Sequence, residues 1–62
     1  MLDRIKRLAY AVYETDKEIT LRVLNNNPYT EEIKTLLRGS DLNYEITPNP
    51  KSAQTHFIVI KL

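Results

Sequence analysis

The segment Thr55–Leu62 (THFIVIKL) contains four consecutive large apolar side chains, Phe57, Ile58, Val59 and Ile60. Successive side chains of a strand point to opposite faces. An unbroken apolar run therefore calls for cover on both faces or a central place in a sheet. Two other segments can flank it. EITLRVL, residues 18–24, alternates: Ile19, Leu21 and Val23 point one way, Thr20, Arg22 and Leu24 the other. LNYEIT, residues 42–47, also alternates, with Leu42, Tyr44 and Ile46 on one face and Asn43, Glu45 and Thr47 on the other. Asn25–Asn27 break the first of these strands, because asparagine favours turns and caps. The polar stretch PNPKSAQ, residues 48–54, separates the second from the last strand.

Two helices complete the pattern. In residues 2–15, Leu2, Ile5, Leu8, Ala9 and Val12 fall on one face at helical spacing, with no Gly or Pro between them. Thr15, Asp16 and Lys17 are expected to end that helix. Asn27-Pro28 reads as an N-cap followed by proline at the first helical position, with Thr30 as a competing cap. Glu31 and Glu32 suit the positive end of the helix dipole, and Tyr29, Ile33, Leu36 and Leu37 form the predicted buried stripe. Gly39 is well placed as the stop.

The predicted fold is thus a small two-layer α+β domain spanning 1–62, in the order α-β-α-β-β. Its three-stranded mixed sheet has strand order 1-3-2, and two helices pack on it. The unit from 18 to 47 is expected to be a right-handed parallel crossover. Whether both helices share one face of the sheet stays open.

The stretch LRVLNNNPYTEEIKTLL, followed by LNYEI, resembles the first strand-helix-strand of glutaredoxins. In that family a strand leads into Cys-Pro-Tyr-Cys, a helix and a further strand. Asn27-Pro28-Tyr29-Thr30 occupies the motif here, and the chain has no cysteine. The resemblance implies a strand–cap–helix–strand unit and carries over no thiol chemistry.

The same absence of cysteine excludes disulfides, thiolate catalysis and Cys-based zinc sites, and His56 alone makes no metal site. A hydrophobic fraction of 42% suits a globular domain. The net charge of +1 supplies no long-range field toward nucleic acid or membrane. No apolar run approaches the roughly 20 residues of a membrane-spanning helix. The start of the chain has no continuous apolar core like that of a signal peptide. A cytoplasmic protein without cofactor or metal is the expectation.

Catalysis has little to build on. His56 is the only histidine and begins the last strand beside Ser52 and Thr55, with nothing in the sequence to orient a Ser/His pair. Glu31 and Glu32 are adjacent and diverge by about 100° on a helix. Two binding readings remain. The first is a non-catalytic protein-interaction module (an adaptor, regulator or inhibitor) that docks through a sheet edge or an open face, with self-association as one form of it. Arg22, Leu24, Ile58, Ile60 and Leu62 are its candidate contacts. Small proteins lacking a chemical motif are frequent among phage and mobile-element products, so that origin is expected by association alone. The alternative is nucleic-acid binding through helix one. Lys6, Tyr10, Tyr13 and Lys17 would form a basic-aromatic stripe there, with Arg4 and Arg7 on the other flank.

Overall fold

The computed structural model describes all residues, Met1–Leu62. In chain order the elements are α1 (Leu2–Leu8), β1 (Ala11–Glu14), β2 (Glu18–Leu24), α2 (Pro28–Arg38), β3 (Asn43–Pro48) and β4 (Thr55–Lys61). The four strands form one sheet in the order β1-β2-β4-β3. Every neighbouring pair is antiparallel. The fold is α+β, and β4 lies between β2 and β3. The three-stranded mixed sheet is corrected to a four-stranded antiparallel one. β2 and β3 do run in the same direction, since each is antiparallel to β4, but they never pair with each other.

The extra strand comes from the predicted first helix. α1 stops at Leu8, and Ala9 turns extended, with φ −79° and ψ 152°. Residues 11–14 then pair with 19–22 of β2. Tyr10, Val12 and Tyr13 are β-formers beside a strand that needs an edge partner, and that pairing overrides a weak helical preference. The hydrophobic pattern does not discriminate. Val12 faces the core as the register partner of Leu21, where a continued helix would also have aimed it. Thr15 makes the reversal: its N–H donates to the Glu18 carbonyl at 2.9 Å. Its hydroxyl oxygen accepts from the N–H groups of Lys17 and Glu18, both at 3.2 Å.

Both helices cover the same face. Ile5 of α1 and Ile33 and Leu37 of α2 join Ile19, Leu21, Val23, Ile58 and Ile60 of the sheet in one buried cluster. Leu2, Leu8, Ala9, Leu36, Leu42 and Tyr44 pack around its margin. On α2 the buried stripe is Thr30, Ile33 and Leu37, while Tyr29 is 61% exposed, a correction to the predicted stripe. Asn27 is the N-cap, its side-chain oxygen accepting from the Tyr29 N–H at 2.9 Å. Thr30 does not cap. Its hydroxyl donates to the Leu24 carbonyl at 2.7 Å, tying the start of α2 to the end of β2. Gly39 closes the helix at φ −86°, a conformation open to any residue.

Candidate functional site

With both helices on one side, the other side of the sheet is uncovered. Strand alternation decides what it displays. Across β2 and β4, Leu21 pairs with Ile58 and Ile19 with Ile60, all four buried. Their neighbours therefore point outward. Ile58 and Ile60 are 0% exposed and lie under the helices, so the assignment of these two residues to an open apolar patch is corrected. A shift of one residue exchanges the faces of a strand, and the apolar residues that β4 turns to the open side are Phe57 and Val59.

The register sets this face in rows. Ala11, Arg22, Phe57 and Thr47 follow one another across the four strands. Tyr13, Thr20, Val59 and Glu45 form the next row, and Glu18, Lys61 and Asn43 the one beyond. Phe57 and Val59 are half-buried by their neighbours, whereas Tyr13 is 54% exposed. The far row is electrostatically closed. Lys61 Nζ lies 3.0 Å from a Glu18 carboxylate oxygen and 3.4 Å from one of Glu45. Its bond to Glu18 and the two carboxylate charges raise the Lys61 pKa above its ordinary value.

Arg22 has no such partner. It meets no carboxylate within 4 Å, and its Nε is sealed from solvent with no acceptor. Its guanidinium carbon lies 5.4 Å from the centroid of the Tyr10 ring, a cation–π contact. The Tyr10 N–H donates to the Arg22 carbonyl at 2.9 Å, which holds that ring beside the strand. Leu24, two residues along β2, borders a cleft of about 240 Å³ lined also by Leu8, Ala9, Tyr10 and Tyr29, with Asn27 and Thr30 as its polar members. Arg22 and Leu24 thus both lie beside the open face. Leu62 follows β4 and is 63% exposed.

The predicted basic-aromatic stripe does not form, because the helix that would carry it ends at Leu8. Tyr10 and Tyr13 leave α1 for the β1 region, and Lys17 sits in the hairpin turn. Lys6 pairs with Glu14 at 2.5 Å. Arg4 donates from Nε to Glu32 at 2.9 Å, joining α1 to α2. Arg7 stands exposed on α1.

Around the α2 start, the three asparagines have separate structural roles. Asn25 donates from its side chain to the Ala53 carbonyl at 2.8 Å, and its amide oxygen lies 2.5 Å from His56 Nδ1. That oxygen only accepts, so Nδ1 carries the proton and Nε2 keeps its lone pair. Nε2 is sealed from solvent with no partner. Burial, with the nearby Lys34 charge, holds the His56 pKa below its ordinary value against the opposing pull of Glu31. Asn26 adopts the chain's one positive φ among non-glycine residues, 53°. Asn27 caps the helix. A polar notch of about 410 Å³ between this loop and Ala53–Gln54 is bounded by those structural contacts.

No cluster of three His, Asp or Glu side chains with metal-binding geometry occurs, and no helix is long and apolar enough to cross a membrane. No family model, curated protein or solved structure matches this chain.

Proposed function

We propose that the chain is a non-catalytic protein-interaction module, an adaptor, regulator or inhibitor that docks through its open sheet face. The observation that carries this reading is the row Ala11–Arg22–Phe57–Thr47, flanked by Tyr10 and Tyr13, on a face without a helix. Tyrosine, phenylalanine and arginine are enriched at interface centres, where a rigid ring or a planar guanidinium gives large contact at low entropic cost. The edge of β1 is a poorer docking element, since four residues offer few backbone groups to a partner strand. The test is affinity capture from native host extract with wild-type, Phe57→Ser and Lys51→Gln chains, each checked for folding by circular dichroism. A partner held by wild type and Lys51→Gln but released by Phe57→Ser supports the reading. An unchanged set of bound proteins refutes it.

Nucleic-acid binding is the second reading, now on the sheet instead of α1. Tyr10, Tyr13 and Phe57 offer rings for base stacking, with Arg22 beside them. Glu18 and Glu45 on the same face oppose it. Low-salt titration with a labelled single-stranded oligonucleotide decides: no binding ends this reading.

A further inference from the structure

Resting on the open-face reading, we infer that the partner presents an extended acidic segment, its carboxylate seated on Arg22 and an adjacent large apolar side chain in the Leu8–Tyr10–Leu24–Tyr29 cleft. Charge complementarity selects the carboxylate. Of the two cations on the open face, Lys61 is held by Glu18 and Glu45, while Arg22 is held by neither carboxylate nor carbonyl. Its cross-strand neighbours, Ala11 and Phe57, carry no charge. A guanidinium set over a tyrosine ring, with Nε sealed, leaves its two Nη groups without a partner and so able to meet a planar, bidentate acceptor. The cleft supplies the second anchor. At about 240 Å³ it is smaller than the pockets of drug-sized ligands, which start at roughly 300 Å³, and it suits one side chain. Leu24 is two residues beyond Arg22, a separation of about 6.6 Å along a strand, so two or three residues of an extended peptide span both anchors.

The same charges and dimensions argue against two other occupants. A single unpaired cation with two carboxylates on the same face offers about one phosphate contact, whereas nucleic-acid affinity is built from several. A second copy joined through β1 has four residues to pair, against the roughly 20–30 residues a side of a stable interface.

The experiment is selection of a phage-displayed random dodecapeptide library on the immobilised chain. Fluorescence anisotropy then follows the selected peptides against wild type, Arg22→Gln, Arg22→Lys and Phe57→Ala. The expected result is enrichment of Asp or Glu with a large apolar residue two or three positions away. Affinity should fall about tenfold or more in Arg22→Gln and less in Arg22→Lys. Replacing the peptide's acid by its amide should weaken binding to wild type and leave binding to Arg22→Gln unchanged. Peptides without acidic enrichment overturn the inference. So does binding that Arg22→Gln leaves intact while Phe57→Ala weakens it, an outcome that spares the open face. Binding indifferent to both variants, or no selectable peptide, overturns both readings. Tight, salt-sensitive binding of a twelve-nucleotide oligothymidylate, or a concentration-dependent dimer abolished by Arg22→Gln, assigns the face to those occupants instead.

Discussion

Arg22 stands directly opposite Phe57 across the β2–β4 pair, on the side of the sheet that neither helix covers. One position further along β4, Ile58 faces Leu21 in the core with no exposure at all. Two adjacent residues of one strand therefore meet opposite environments.

Urea denaturation should separate them. Ile58→Ala is expected to cost about 2–5 kcal/mol, the range for truncating a buried aliphatic side chain. Phe57→Ala should cost less, although it removes the larger group. Ile60→Asp should unfold the chain, since a domain this small rarely has more than about 3–5 kcal/mol to lose. An Ile60→Asp protein that stays folded would contradict the register.

The Thr30 hydroxyl is the buried link between β2 and α2. Thr30→Val should cost about 1–3 kcal/mol by leaving the Leu24 carbonyl unsatisfied, and Thr30→Ser should recover most of it. Thermal unfolding monitored by circular dichroism reads the difference.

The segments 18–24, 28–38 and 55–61 are readable because each combines a clean period with a clear boundary, such as the Asn27-Pro28 cap. β1 is not. Val12 satisfies helical and strand periodicity alike, and the deciding contact, its pairing with Leu21, is not local. The open face is misread for a related reason. A run with apolar residues at four successive positions has no parity of its own, and only the pairing with Ile19 and Leu21 fixes which half is inside. The outward places of Arg22 and Leu24 are legible because β2 alternates strictly.

The cap and the stop of α2 should respond oppositely to alanine. Asn27→Ala is expected to cost about 0.5–2 kcal/mol through loss of the bond to the Tyr29 N–H. Gly39→Ala should stabilise by about 0.4–1 kcal/mol, because φ −86° suits alanine and its Cβ would meet only Thr35 and Leu36 carbonyl oxygens at 3.7 and 3.8 Å. Melting temperatures of the two variants test the pair.

His56 predicts a pH dependence on the acid side. Its folded pKa lies below the ordinary value of 6.5, so the unfolded chain takes up the proton first as pH falls. The contribution is complete above pH 6.5 and declines below it, toward the folded pKa. Denaturation midpoints between pH 7 and 5 should fall, and His56→Gln should flatten that slope. Lys61 acts at the opposite end. Its raised pKa gives a contribution that is whole below 10.5 and disappears as alkalinity carries it through the folded value.

The place of β4 has a consequence for how the molecule comes into being. β1–β2 and β3 share no direct pairing, and each reaches the other only through residues 55–61. The segment furthest along the domain is the keystone of its sheet. On the ribosome, the hairpin and α2 can form while the chain emerges, but the sheet cannot close until β4 is free of the exit tunnel. Assembly is then an insertion between two waiting strands, in which the β3–β4 pairing is local and the β2–β4 pairing is long-range, and it leaves β2 and β3 with bare inner edges until that moment.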